Sequence, residues 1–202
     1  MADEVEIKFV VEDVPALEER LRILGFHLQT ASTHEMNTLF DTAKGTLRKS
    51  GQLLRLRRYG SAWTLTHKAR GRKGVHKTRV ETETEVANGE SMRAILLALG
   101  YNEAFCYEKF RAEWRDAEGH VVVDRTPVGN LAEIEGPPEW IDSTAERLGV
   151  DSKQYITKNY AELFREWKRR TGSAARNMTF AECGTPPPFS KPLSGHGSSS
   201  EK

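Results

Sequence analysis

Eight stretches of this chain alternate apolar with polar side chains at a period of two, and most of the polar positions are ionisable. An ordinary solvated strand does not need that selection. Glu4, Glu6 and Lys8 interleave with Val5, Ile7 and Phe9, and Arg55 and Arg57 with Leu54 and Leu56. Thr64, Thr66 and Lys68 oppose Trp63 and Leu65, and Lys77, Arg79, Glu81, Glu83 and Glu85 share one face of the next stretch. Lys109, Arg111 and Glu113 follow, then Asp124, then Glu133 and Glu135 around Ile134. Successive side chains leave a sheet on opposite sides, so period two marks a strand. The spacing predicts strands over about 4–11, 33–40, 52–59, 62–70, 75–86, 105–115, 120–126 and 130–135. Turn residues at Tyr59-Gly60-Ser61, Gly71-Arg72-Lys73-Gly74 and Asp116-Ala117-Glu118-Gly119 separate several of them.

Four segments repeat apolar residues at helical spacing instead. Residues 13–24 carry Val14, Leu17, Leu21 and Leu24 between Asp13 and Gly25, and residues 90–99 carry Met92, Ile95, Leu96 and Leu99 before Gly100. A third helix follows Pro137-Pro138 and stops at Gly149, and a fourth, about 156–170, lines up Tyr160, Leu163, Phe164 and Trp167. This order predicts an α+β fold with a large antiparallel sheet.

For any one strand, a solvated outer face explains the charges equally well. Taken together they suggest more. If the helices cover the apolar face and pack outside, curling the sheet into a closed barrel turns the ionisable faces toward each other. A charged interior is costly unless its groups are paired or bind something. Lys and Arg in one lumen suit a compact polyanion such as a triphosphate, and carboxylates beside them suit Mg2+ or Mn2+, which take oxygen ligands and bridge phosphates.

Composition narrows the partners. The 202 residues hold 30 Lys or Arg against 29 Asp or Glu, a net charge of +1, which gives no sign of a bulk nucleic-acid binder. Two distant cysteines, Cys106 and Cys183, support neither a disulfide framework nor a zinc site. The amino terminus is charged from its third residue, and no apolar run approaches the ~18 residues of a membrane helix. A soluble, cytoplasmic protein without nucleic-acid or membrane partners is expected. From Gly172 to the end, 14 of 31 residues are Gly, Pro or Ser, which predicts a flexible tail over 172–202 after one domain over 1–171.

Glu4-Val5-Glu6-Ile7-Lys8 is an E-x-E-x-K strand. With Leu54-Arg55-Leu56-Arg57, Lys68, Arg79-Val80-Glu81-Thr82-Glu83, Lys109-Phe110-Arg111, Asp124 and Glu133-Ile134-Glu135, the chain resembles the CYTH superfamily, the triphosphate tunnel metalloenzymes. The resemblance spans about residues 2–168 and implies an antiparallel barrel of about eight strands around a tunnel. It implies that Lys8, Arg55, Arg57, Lys68, Arg79, Lys109 and Arg111 hold the triphosphate. Glu4, Glu6, Asp124, Glu133, Glu135 and Glu83 would bind Mg2+ or Mn2+, with Glu4, Glu6 and Glu81 in catalysis. An internal ion pair is the plain alternative for Arg79 and Glu83. Lys158 would close a tunnel mouth, unless it is merely exposed, and Asp41 reads as a turn former.

The family offers a class IV adenylyl cyclase, making cyclic AMP and pyrophosphate from ATP, and a triphosphatase acting on tripolyphosphate, thiamine triphosphate or a nucleoside triphosphate. The details of the 77–83 and 129–135 stretches lean toward the cyclase. A non-catalytic polyphosphate or nucleotide binder is the third reading, and a homodimer is possible for any of them.

Overall fold

In a computed structural model, which describes residues 3–71 and 77–184 and the side chains of 5–71 and 80–184, the alternating stretches form eight antiparallel strands. They are β1 (Asp3–Val10), β2 (His27–Thr42), β3 (Leu53–Tyr59), β4 (Ala62–Lys68), β5 (Lys77–Glu85), β6 (Tyr101–Arg115), β7 (His120–Thr126) and β8 (Gly129–Glu135). Neighbours run β1-β5-β4-β3-β2-β6-β7-β8, and β1 is bonded both to β5 and to β8, so the sheet is strongly curled. Register converts the alternation into cross-strand charge pairs. Lys8 stands opposite Glu133, Arg111 opposite Asp124, Glu35 opposite Lys109 and Lys68 opposite Glu81, all on the concave face.

β2 and β6 are longer than their alternation suggests. Their pairing shifts register between Leu28 and Thr30, between Thr30 and Thr33, and between Leu39 and Phe40. Each shift breaks the period of two, which hid the outer parts of both strands.

The helices are α1 (Val14–Ile23), α2 (Thr46–Lys49), α3 (Gly89–Ala98), α4 (Pro138–Leu148), α5 (Tyr160–Thr171) and α6 (Phe180–Cys183). Asp13 caps α1 by accepting from the Ala16 N–H at 2.9 Å. Val14 and Leu21 of α1, with Trp140, Ile141 and Ala145 of α4, then bury Ile7, Phe9, Trp114, Val121, Val123, Ala132 and Ile134 on the convex face. Each fully buried aliphatic side chain there contributes about 1.5–3 kcal/mol. Trp140 needs Gly119 beneath it, because a Cβ at that position would lie 2.4 Å from the ring. α3 covers Phe40 and Leu56 with Leu96. No helix among the described residues is long and apolar enough to cross a membrane.

α5 corrects the expectation that all helices pack outside. Tyr160 stacks on Tyr107 with ring centroids 5.2 Å apart, and Phe164 meets Phe105 at 5.5 Å, with Leu39 and Leu131 beside them. Phe105 and Tyr107 share the β6 face of Lys109 and Arg111, so α5 lies across the concave side. Helical periodicity shows which face of a helix is buried, and is silent on which side of a sheet buries it. α5 also begins at Tyr160 rather than near 156. Asn159 accepts from the Glu162 N–H at 3.0 Å and Glu162 accepts from the Asn159 N–H at 2.9 Å, a capping box, while the Ile156 N–H is held by the Lys8 carbonyl at 2.7 Å.

The expected tail is corrected at its start. β7 pairs with β6 only from Phe110 toward Arg115, and Met178 forms a parallel bridge on the edge this leaves at Tyr107. The Met178 N–H donates to Cys106 O and the Glu108 N–H to Met178 O, and the Met178 side chain is fully buried beside Ala175. Glu182 holds this strap folded by accepting from the N–H groups of Arg176 and Asn177. Gly, Pro and Ser crowd residues 185–202, whereas over 172–184 Ala175, Met178 and Phe180 supply enough apolar surface to order the segment. Residues 185–202 lie outside the described residues.

Candidate functional site

The concave face, α2 and α5 enclose a cavity of about 1060 Å3 lined by twelve Lys or Arg and six Asp or Glu. The strands bring most of the sequence-derived candidates to it. Lys8, Arg55, Arg57, Lys68, Lys109 and Arg111 line it, as do Glu6, Glu81, Glu83, Glu133 and Glu135. Glu4 and Arg79 oppose each other in the β1–β5 ladder, but both side chains lie outside the described residues, as do Arg72, Lys73 and Gly74 of the basic turn.

The deep part is a network of matched charges. Asp124, fully buried and not itself a lining residue, receives Arg111 Nε at 2.7 Å, Arg111 Nη2 at 2.6 Å and Lys109 Nζ at 2.9 Å. Arg111 Nη2 also reaches Glu133 at 2.6 Å, and Lys8 Nζ lies 2.6 Å from the other Glu133 oxygen. Burial alone would raise the Glu133 pKa, but Lys8 and Arg111, then Lys109, hold it well below the usual carboxylate range. Burial would likewise lower that of Lys8, yet Glu133 and Glu6 keep it above the ordinary lysine value. Both groups stay ionised because each has the other. Breaking such a pair leaves an uncompensated buried charge.

A second cluster holds the arginines of β3. Arg57 Nη2 and Arg55 Nη2 lie 3.1 and 3.4 Å from Glu83, which also accepts from Thr66 at 2.5 Å. Glu83 therefore pairs with Arg55 and Arg57, and Lys68 pairs with Glu81. Arg55 Nε is a buried donor with no acceptor among the described residues, which suits an anion in the cavity.

Three residues entered this site without being singled out beforehand. Glu35, 1% exposed, accepts from Asn37 and lies 3.4 Å from Lys109. Burial would raise its pKa, but Lys109, Arg111, Arg55 and Arg57 hold it at about 2. Tyr160, described only as part of a helix stripe, donates its hydroxyl to Asp124 at 2.5 Å and lies 3.2 Å from Glu133, while Lys8 and Lys109 sit over its ring. Burial, then Asp124 and Glu133, push its pKa well up, so the donor keeps its proton. For Glu35 and Asn37 the signal was present, since both share a face of the 33–40 alternation.

The outer part of the cavity differs. Along α5 the lining steps from Tyr160 through Phe164 to Arg165 and Lys168, while the β2–β3 connection supplies Lys44, Arg48 and Lys49 and the strap supplies Arg176. Asp41, as its turn-former reading expects, organises this connection. It accepts from the N–H groups of Thr42, Leu47 and Arg48 at 2.8, 2.9 and 3.0 Å, which outweigh burial and lower its pKa. Lys158 does not line this cavity; it pairs with Glu166 at 2.6 Å.

The donors present fit a divalent cation in one form. Among the described residues, no three Asp, Glu, His or Cys side chains converge into a cation cage. Glu6 and Glu135, however, stand directly opposite each other in the β1–β8 ladder and both line the cavity. Mg2+ is commonly held by one or two carboxylates together with substrate phosphates, and this pair supplies that number. Asp124 and Glu133 are already matched by Lys8, Lys109 and Arg111.

The CYTH domain family matches residues 2–160 of this chain. A candidate adenylate cyclase of Methanocaldococcus jannaschii is 25% identical over 171 residues, covering 79% of this chain and 97% of that protein. Adenylate cyclase CyaB of Aeromonas hydrophila is 25% identical over 175 residues, covering 79% and 87%. Among solved structures, a Pyrococcus horikoshii protein superposes with a TM-score of 0.70 at 22% identity, covering 79% of this chain and 98% of that one. HpAC1 of Hippeastrum, for which a dominant triphosphatase activity is described, superposes with a TM-score of 0.60 at 20% identity, covering 82% and 96%. At these identities the structural likeness speaks for the fold.

Proposed function

The chain belongs to the CYTH domain family, and from that premise we propose that it is a divalent-metal-dependent enzyme acting on a triphosphate held against the concave face of its sheet. The observation that carries this reading is the deep set of six cations, Lys8, Arg55, Arg57, Lys68, Lys109 and Arg111, lining one cavity with the Glu6–Glu135 carboxylate pair. The two sets of β1 pairings support reading the curled sheet as a closed tunnel, and the two free cysteines fit a reducing, cytoplasmic setting.

In this reading Arg55, Arg57, Lys68, Lys109 and Arg111 contact phosphate oxygens, with Lys8 and Arg79 joining them. Glu6 and Glu135, with Glu4, hold Mg2+ or Mn2+. A metal bound there supplies charge neutralisation across the phosphate oxygens and polarises the phosphorus under attack. Glu83 and Glu81 hold the β3 and β4 cations in place. We assign Asp124 to a supporting role, since its oxygens are taken by Lys109, Arg111 and the Tyr160 hydroxyl. Tyr160 fixes Asp124, so the phosphate-binding cations are preorganised before ligand arrives.

Two reactions use this arrangement. In cyclisation the ribose 3′ oxygen attacks the α-phosphorus of ATP and pyrophosphate leaves, giving cyclic AMP; the names of the two curated relatives favour it. In hydrolysis water attacks the terminal phosphorus, and orthophosphate and the shortened phosphate chain separate; the cationic outer part of the cavity favours this second reading. The opposed Glu6 and Glu135 argue against a purely non-catalytic binder. Incubation with ATP, tripolyphosphate and thiamine triphosphate and either metal, with orthophosphate, pyrophosphate and cyclic AMP measured together, separates them. Equimolar pyrophosphate and cyclic AMP means cyclase, and orthophosphate means hydrolase. Absence of all three products with every substrate would sink the enzyme reading.

A further inference from the structure

The two parts of the cavity do not carry the same charge. Inside, six cations face five carboxylates, whereas the outer lining holds Lys44, Arg48, Lys49, Arg165, Lys168 and Arg176 with Asp41 as its one carboxylate, Glu166 and Glu182 standing near Arg165 and Arg176 outside the lining. Asp41 is committed to three backbone N–H groups, and none of the six outer cations forms a salt bridge among the described residues. They come from three separate elements. The Asp41-organised connection sets Lys44, Arg48 and Lys49 on one side, successive turns of α5 set Arg165 and Lys168 on another, and Glu182 folds the strap that carries Arg176. Arg165, Lys168 and Arg176 also lie beyond the residues 2–160 that the family matches.

A nucleoside attached to the triphosphate would leave these cations unmatched. The aromatic rings at this level are also already engaged: Phe105 stacks on Tyr107, Phe164 stacks on Trp167, and Lys168 lies over the Phe164 ring. Further phosphoryl groups, by contrast, bring one more set of anionic oxygens for each step outward. Resting on the triphosphate reading of the deep site, we propose that the outer cations bind the continuation of a linear inorganic polyphosphate, so that the preferred ligand is a phosphoanhydride chain longer than three.

The test is calorimetric titration of the full chain with tripolyphosphate, tetrapolyphosphate, a longer linear polyphosphate and ATP. Longer chains are expected to bind at least about tenfold more tightly than tripolyphosphate at low ionic strength, because each added charge-assisted contact strengthens binding. That advantage shrinks as salt rises, since the outer groups are exposed to screening. A triple variant, Lys49→Ala with Arg165→Ala and Arg176→Ala, should remove the advantage while moving tripolyphosphate affinity less than about threefold. All three positions are exposed, so folding is preserved, and circular dichroism checks it. Equal affinity for short and long chains in the unaltered protein overturns the proposal, as does an advantage that survives in the triple variant or tighter binding of ATP than of tetrapolyphosphate. Tripolyphosphate bound without chain-length dependence removes only this inference. Failure to bind any phosphate chain removes the triphosphate reading with it.

Discussion

The deep and outer parts of one cavity show two ways of placing cations. Lys8 and Lys109 are buried, Arg111 is half-buried and all three are matched, so their geometry is set by Asp124, Glu133 and Tyr160 whether or not a ligand is present. Lys44, Lys49, Arg165 and Arg176 are exposed, and their surplus charge is available to whatever arrives. Matched buried charge contributes order, while unmatched exposed charge contributes attraction and little stability. Substitutions in the two parts should therefore differ in kind.

The sharpest break in that contrast comes from Asp124→Asn, which leaves Lys109 and Arg111 with half their partner charge. We expect a loss of about 3–5 kcal/mol in urea unfolding, as for other broken buried ion pairs. Glu35→Gln comes next. A carboxylate whose folded pKa lies below its unfolded value contributes stability above the unfolded value and loses it as pH falls through the folded one. For Glu35 that window runs from 4.5 down to about 2. The contribution is roughly 3 kcal/mol at neutral pH, so the variant should be less stable there and show a flatter decline between those pH values.

Glu6→Gln and Glu135→Gln sharpen the contrast from the side of turnover. Each is expected to lower metal-dependent turnover at least about a hundredfold, close to 2.7 kcal/mol, while circular dichroism shows the fold intact. Full activity in both variants would remove the metal assignment. Tyr160→Phe keeps the ring and deletes one donor to Asp124, at a cost of about 1–2 kcal/mol of stability by the same unfolding assay. The smallest effect belongs to the outer part, where Lys49→Ala should leave unfolding free energy within about 0.5 kcal/mol. A large loss there would contradict the division between the two regions.

Much of the deep site was legible because strand periodicity and register act together. Once Glu6, Lys8, Arg111 and Glu133 are assigned to strand faces, curling the sheet leaves them few places to go. Their partners were less legible. Glu83 pairs with Arg55 and Arg57, and Asp124 is taken up by Lys109 and Arg111, because a face assignment says nothing about which charge lies opposite. The side of the sheet taken by α5 was hidden for a related reason, since Tyr160 and Phe164 mark an apolar stripe that either face of the sheet could receive. The strap was hidden by composition. Met178, with Ala175 and Phe180 beside it in sequence, is averaged into the Gly-, Pro- and Ser-rich end that follows, and the β6 edge left beyond β7 gives it a place to bond.

The seam between β1 and β8 joins residues from nearly opposite ends of the family-matched segment, and it is where Glu6 meets Glu135 and Lys8 meets Glu133. During synthesis, β1 leaves the ribosome long before β8 exists, and α5 with Tyr160 follows later still. Until then Lys8 has no Glu133 beside it. An unfinished chain therefore holds neither the carboxylate pair nor the fixed cations until β8 and α5 have both been made.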